Sequence, residues 1–158
     1  MTDELTHIDK QGNARMVDVG SKPPMRRTAV AEGFFCAAGD TLDLLEAGDL
    51  PKGEALAVAR VAAIQAAKKC DELIPLCHTL PLDLVRVDFE RAEPDRLRIV
   101  ATVATTARTG VEMEALTAVS IAALTLWDMT KAVDKDLRVD GIRLVSKEKT
   151  HLEKTHRV

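Results

Sequence analysis

Apolar residues between positions 111 and 133 recur with the spacing of an α-helix. Turned at about 100° per residue, these side chains form one broad face, as in a helix that lies on a sheet. The face consists of Val111, Ala115, Ala118, Val119, Ala122, Ala123, Leu126, Met129 and Val133. No charged residue occurs between Glu114 and Asp128, although 30% of the chain is charged. The pattern predicts a long helix that is buried nearly all round.

The opposite arc of this predicted helix is polar at its ends and uncharged in its middle. It contains Glu114, Thr117, Ser120, Ile121, Leu124, Thr125, Asp128, Lys131 and Lys135. An ordinary solvent-facing arc carries more charge, so we expect another subunit to cover it.

Glu114 and Asp128 are 14 residues apart, which is roughly 21 Å along a helix. One small reacting centre cannot touch both. Either the ligand is long, or the two residues serve separate sites, or a second copy brings its Glu114 end near the Asp128 end of the first. The third arrangement fits the uncharged middle best.

Shorter patterns predict the remaining elements. Residues 28–36 are typical of a strand, residues 40–48 of a short helix that Asp40 caps and Gly48 ends, and residues 53–70 of a second helix. Alternation over residues 85–103 predicts a β-hairpin with one buried face, and residues 137–145 predict a last strand. Pro75 and Pro81 enclose an irregular segment that is suited to presenting side chains to a ligand.

The order strand, helices, two strands, long helix, strand is the βαββαβ pattern of a ferredoxin-like α+β sandwich, with an antiparallel sheet covered on one face by helices. We expect a single domain over residues 1–158, with an extended arm at about 1–26 and a flexible tail at about 148–158. Fold alone does not define function.

Composition excludes several classes of protein. A net charge of −3 argues against a broad nucleic-acid surface, and the absence of tyrosine, with 3% aromatic residues, argues against base stacking. Three cysteines without CxxC spacing favour a reducing compartment, so we expect a cytoplasmic protein. No apolar run approaches membrane-spanning length, so no membrane partner is expected.

Candidate chemistry is scattered along the chain, and neither a Walker A loop nor a GxGxxG pattern occurs. Lys52 precedes a predicted helix and is either an anion ligand or a surface lysine. Asp128 and Lys131 are either functional or an ordinary i,i+3 pair. His78 follows Cys77 between two prolines and suits proton transfer, although the residues by themselves favour a structural imidazole slightly. No zinc site assembles from these residues.

Five motifs in the chain have recognisable order and spacing. They are Met16-Val17-Asp18-Val19, Ala66-Ala67-Lys68-Lys69, Leu73-Ile74-Pro75-Leu76-Cys77-His78, Thr109-Gly110-Val111-Glu112-Met113-Glu114-Ala115-Leu116-Thr117-Ala118 and Asp128-Met129-Thr130-Lys131-Ala132. Together they resemble the cyclic pyranopterin monophosphate synthases of molybdenum cofactor biosynthesis, over roughly residues 5 to 147.

The resemblance implies a lyase that converts a cyclised dihydro-GTP to cyclic pyranopterin monophosphate and diphosphate. It also implies a ferredoxin-like fold and a homohexamer, a trimer of dimers with sites at subunit interfaces. No redox cofactor and no metal are expected, and a requirement for Mg²⁺ is left open.

The resemblance also assigns roles to residues. The residues implied as catalytic are Asp128, Lys131, Lys52 and His78. Those implied in substrate binding are Leu76, Cys77, His78, Met113, Glu114 and Arg27, and Lys147 is a further candidate for the phosphates.

The chain departs from the family at its C-terminal end, where Glu148-Lys149-Thr150-His151 replaces a glycine-rich segment. This leaves the family's C-terminal phosphate contact open. Two other interpretations are a catalytically impaired family member and a nucleotide-binding regulatory module of the same fold. An RNA-recognition domain is disfavoured, because Val85, Val87, Leu97 and Ile99 stand where it needs aromatic side chains.

Overall fold

The structure is a computed structural model that describes residues 7–152. It contains four strands and four helices in that part of the chain. In order they are β1 (Met25–Cys36), α1 (Gly39–Ala47), α2 (Ala55–Lys68), α3 (Cys70–Leu73), β2 (Leu84–Glu93), β3 (Arg96–Ala107), α4 (Glu112–Thr130) and β4 (Arg138–Thr150).

The strands form one antiparallel sheet in the order β2-β3-β1-β4. α4 packs on β1, β3 and β4, and α2 packs on β2 and on α4. The predicted ferredoxin-like α+β sandwich is therefore confirmed, including the hairpin of β2 and β3. Within residues 7–24 the arm forms one isolated bridge, between Ile8 and Ala14.

The core lies between the sheet and the two long helices. Small residues on α2, among them Ala59 and Ala63, are completely buried and allow α4 to approach closely. Gly33 on β1 permits an equally close approach, because a Cβ at this position would lie 2.7 Å from Cγ1 of Val119 on α4. Eight of the nine predicted residues on the apolar face of α4 are buried; they are Val111, Ala115, Ala118, Val119, Ala122, Ala123, Leu126 and Met129.

The ninth prediction is wrong, since Val133 is 42% exposed. α4 ends at Thr130, with Lys131 as its C-cap, so Val133 lies beyond the helical repeat.

The predicted cap of α1 is also wrong, because Asp40 lies in the first turn of the helix and makes no cap. The residue before the helix is held from a distant loop, since the backbone N–H of Ala38 donates to Oδ2 of Asp134 at 2.8 Å.

β4 continues to Thr150, five residues past its predicted end, because it pairs with β1 as far as Arg26. Residues 153–158 of the tail, like residues 1–6, lie outside the described residues.

The outer arc of α4 is partly covered within the chain. Glu114 and Thr117 are buried, and the Cys70 Sγ lies 3.5 Å from Thr117 Oγ1. Leu124 and Trp127 remain 57% and 37% exposed, so a covering subunit stays a prediction for that half of the arc. Within residues 7–152 no helix is both long enough and apolar enough to cross a bilayer.

Candidate active site at the two ends of the long helix

A cluster of three charged side chains lies at the C-terminal end of α4. The Lys52 Nζ donates to Oδ2 of Asp128 at 2.9 Å and to its main-chain oxygen at 2.7 Å. The Lys131 Nζ lies 2.5 Å from the other carboxylate oxygen. Lys52 occupies the turn before α2, and α2 runs antiparallel to α4, which brings this lysine across to Asp128.

The two lysines fix the charge state of the aspartate. Hydrogen bonds from Lys131 and then Lys52 lower the pKa of Asp128 to about 2. The carboxylate is therefore ionised throughout the neutral range and holds two ammonium groups side by side. In this state the lysines can donate protons and stabilise negative charge, while Asp128 orients them.

A cavity of about 260 Å³ lies at the opposite end of α4. Its walls come from the segment between Pro75 and Pro81, from the start of α4 and from the N-terminal arm. The lining residues are His7, Val17, Val19, Lys22, Leu76, Cys77, His78, Leu80, Thr109, Gly110, Glu112, Met113 and Glu114. The structure thus brings together five predicted binding residues, namely Leu76, Cys77, His78, Met113 and Glu114.

The floor of this cavity favours neutral groups. Glu114 is only 4% exposed, and burial raises its pKa to about 7, with a further contribution from the Glu112 carboxylate. Burial, followed by the nearby Glu114 carboxyl, also raises the pKa of the Cys77 thiol. Burial raises the pKa of Cys70 to about 12. Both thiols therefore remain protonated, which makes them poor nucleophiles.

His78 is held by the arm. Its Nε2 lies 2.7 Å from the main-chain oxygen of Val17. The imidazole is therefore anchored through one nitrogen at the wall of the cavity.

A second cavity of about 260 Å³ adjoins the first, since Gly110 and Glu112 line both. It contains the two remaining predicted residues, Arg27 on β1 and Lys147 on β4. Arg27 donates from Nε and Nη2 to the main-chain oxygens of Ala107 and Arg108, each at 3.2 Å. The Lys147 Nζ lies 3.2 Å from Oε1 of Glu112.

The predicted residues therefore form two groups in the described chain. Lys52, Asp128 and Lys131 lie together, and the binding residues with His78, Arg27 and Lys147 occupy the adjoining cavities. About 14 helical residues, roughly 21 Å, separate the groups.

Two charged residues of the cavities, Glu112 and Lys149, were not predicted as part of the site. Glu112 lines both cavities and pairs with Lys147. Lys149, which falls in the predicted flexible tail, instead lies opposite Arg27 in the register of β1 and β4 and lines the second cavity. The motif containing Val17 was the available signal that the arm contributes to the site.

Metal-binding side chains do not cluster in this part of the chain. Residues 7–152 contain no group of three or more His, Cys, Asp or Glu side chains placed to hold a metal ion. The polar groups that the cavities do gather are ammonium, guanidinium, imidazole and carboxyl groups, which transfer protons and bind anions.

An α+β sandwich with these groups in its cavities has the side chains that acid–base chemistry on an anionic small molecule requires. A model of the MoaC family matches residues 16–150, and the chain belongs to this family. It is 59% identical to the cyclic pyranopterin monophosphate synthase of Corynebacterium efficiens, over 91% of this chain and 92% of the relative.

Two further relatives carry the same name. The protein of Novosphingobium aromaticivorans is 55% identical, over 91% of both chains. That of Thermomicrobium roseum is 57% identical, over 91% of this chain and 87% of the relative.

Proposed function

We propose that this chain converts a cyclised dihydro-GTP to cyclic pyranopterin monophosphate and diphosphate, a step of molybdenum cofactor biosynthesis. The observation that supports this most strongly is a pair of adjoining cavities that differ in composition. The first, with Leu76, Met113 and the buried Glu114, suits a heterocycle, and the second, where Arg27, Lys147 and Lys149 outnumber Glu112 and Glu148, suits a phosphate chain.

The reaction requires the side chains to transfer protons and to stabilise negative charge on phosphate oxygens. Rebuilding the ring system requires several proton transfers, for which His78, Lys52 and Lys131 are the candidates. Forming the cyclic phosphate requires a substrate hydroxyl to attack the α-phosphorus while diphosphate leaves. Cations beside the departing oxygens stabilise the charge that develops there, and we assign this role to Arg27 and Lys147.

We propose further that one complete site is shared by two copies of the chain. Asp128 and its lysines lie too far from the cavities at the start of α4 to act on the same small molecule within one chain. Exposed apolar side chains between the two groups support contact with another copy; they are Val58, Val61, Leu124 and Trp127. We propose a hexamer, a trimer of dimers, that joins the Asp128 end of one copy to the Glu114 end of the next.

We place the reaction in the cytoplasm, where the free thiols of Cys36, Cys70 and Cys77 stay reduced. The proposed conversion is a rearrangement without net oxidation, so it needs no redox cofactor. Activity before and after treatment with a chelator tests whether Mg²⁺ assists the phosphates.

The direct test is incubation with the cyclised dihydro-GTP, followed by chromatography for the pyranopterin and a diphosphate assay. We expect the two products in equal amounts. Binding of the substrate without either product would instead indicate a regulatory or catalytically impaired protein.

A mixing experiment tests the shared site. Asp128→Asn and Glu114→Gln chains are each inactive under our proposal, because each damages one half of every site. After equal amounts are dissociated and reassembled together, about a quarter of the sites combine two intact halves, so about a quarter of the wild-type activity should return. Mixing without dissociation is the control. The absence of rescue, with exchange of copies verified by mass, would contradict a shared site.

A further inference from the structure

The contact between His78 and the arm determines which imidazole nitrogen can exchange protons. The Nε2 atom lies 2.7 Å from the Val17 carbonyl oxygen. A carbonyl oxygen can only accept a hydrogen bond, so Nε2 must carry hydrogen in both the neutral and the charged imidazole. The Nδ1 atom makes no hydrogen bond within residues 7–152, and it is the nitrogen left with a free lone pair.

A turn in the arm positions the Val17 carbonyl. The Oδ1 atom of Asp18 accepts a hydrogen bond from the N–H of Gly20 at 2.8 Å, which is an Asx turn. The N–H of Lys22 then donates to the carbonyl of Val19 at 3.0 Å. Both bonds lie next to Val17 in sequence. Asp18 itself does not line the cavity, so its effect on His78 passes through the backbone of the arm.

We propose that Val17 and Asp18 are positioning residues that hold His78 as the Nε2–H tautomer, so that protons enter and leave at Nδ1. This inference rests on the proposed function. A proton passes from a substrate heteroatom to the Nδ1 lone pair, and the imidazole becomes a cation whose Nε2–H stays on Val17. The same proton then passes from Nδ1 to another substrate atom, and the neutral imidazole is restored.

The chemical environment fits this arrangement. The cavity around His78 contains His7 and Lys22 of the arm, Cys77 beside it, and Glu112 and Glu114 of α4. None of them is hydrogen-bonded to the ring within the described residues. The arm carbonyl is therefore the group that decides the tautomer.

The first test is nitrogen NMR of the full-length protein with labelled histidine, without substrate and at a pH where the imidazole is neutral. The His78 resonances are identified by their loss in His78→Gln. We expect a protonated Nε2 and an unprotonated Nδ1. An Nδ1–H tautomer would overturn the inference.

The second test changes Asp18 and leaves the cavity lining intact. Asp18→Ala removes the acceptor of the turn, so the His78 resonances should move toward the average of two tautomers and kcat should fall about tenfold. Asp18→Asn retains an acceptor and should restore both to within about twofold. An activity loss in Asp18→Ala with an unchanged tautomer would refute the positioning role.

Substitutions of His78 itself separate the two nitrogens. A glutamine amide can keep the bond from the Nε2 position to Val17 but cannot take up a proton, so His78→Gln should lose roughly 10²-fold in kcat. Trypsin should cleave the arm at the exposed Lys10 and Arg15 no faster in this variant than in the wild type. A wild-type chain without turnover would refute the proposed function, while the NMR result would still decide the tautomer.

Discussion

The two ends of α4 carry carboxyl groups in opposite states. At the C-terminal end, Asp128 has a side chain 56% exposed, lies between two lysines and has a pKa of about 2. Near the N-terminal end, Glu114 is 4% exposed, makes no ion pair within residues 7–152 and has a pKa of about 7. At neutral pH one carboxyl is fully ionised and the other is close to half protonated.

The difference shows that environment, and not residue type, decides what each carboxyl can do. Water and two ammonium groups stabilise the anion of Asp128, so this residue keeps its charge at little structural cost. Burial opposes the anion of Glu114, so ionisation of this carboxyl destabilises the folded state. We therefore expect changes at Asp128 to affect turnover, and changes at Glu114 to affect stability as well.

The largest expected effect is that of Asp128→Asn on turnover. The amide keeps the size of the side chain but removes the charge that holds Lys52 and Lys131, so kcat/KM should fall about 10³-fold. The melting temperature should change by no more than about 1–2 °C, because exposed ion pairs contribute little to stability.

Asp88→Asn is the matched control for this prediction. Asp88 also lies in an exposed ion pair, with Arg86 at 3.1 Å, but on β2 and away from both groups of site residues. It should retain wild-type activity. A large drop in melting temperature or loss of assembly in Asp128→Asn alone would make Asp128 a structural residue.

The next effect is the pH dependence that Glu114 gives to stability. The carboxyl ionises at an ordinary value of 4.5 in the unfolded chain and at about 7 in the folded protein. Between these values the folded state holds more protons than the unfolded state. The stability of the folded state therefore falls as pH rises through this window, and the full loss is present above about pH 7.

Glu114→Gln cannot ionise and should remove this loss. The difference in the free energy of unfolding between the variant and wild type should be about 2–3 kcal/mol larger at about pH 8 than at about pH 5, in favour of the variant. Urea unfolding at both pH values measures this difference. Glu90→Gln, which removes a charge from an exposed edge of the sheet, corrects for the change in net charge. An equal gain at both pH values would show that Glu114 does not titrate in this window.

The fold could be predicted almost completely from the sequence, because its signals are local. The apolar repeat of α4 and the alternation of the hairpin depend on near neighbours, and both predicted elements are present. The prediction for Val133 was wrong because the apolar repeat continues in the sequence past Thr130, where the helix ends. The contact that holds the start of α1 was not predicted because Asp134, which accepts a hydrogen bond from the Ala38 N–H, is 96 residues away in sequence.

The site could be predicted only in part. The motifs predicted that Asp128 and Lys131 matter, but their i,i+3 spacing also fits an ordinary helix pair. What separates the two interpretations is Lys52, which lies 76 residues away and reaches Asp128 only because α2 packs antiparallel on α4. The contact between Val17 and His78 could not be predicted either, because Val17 contributes only a main-chain oxygen and any residue at this position carries one.

The smallest expected effect separates the two lysines that follow Asp128. Lys131 bonds to the carboxylate of Asp128, whereas the Nζ of Lys135, one turn further along, donates to the main-chain oxygen of Lys131 at 2.6 Å. Lys131→Ala should lower kcat by about tenfold or more, because Asp128 then keeps only Lys52. Lys135→Ala should change kcat by less than about twofold, since it removes one exposed cation without altering the carboxylate.

Steady-state kinetics at low and high salt distinguishes these outcomes. High salt screens charges, so in the wild type it should have the same effect as a general loss of positive charge, but it should not have the effect of losing the specific contact between Lys131 and Asp128. Equal effects of both substitutions, removed by salt, would mean that this end of α4 attracts the substrate by net charge alone.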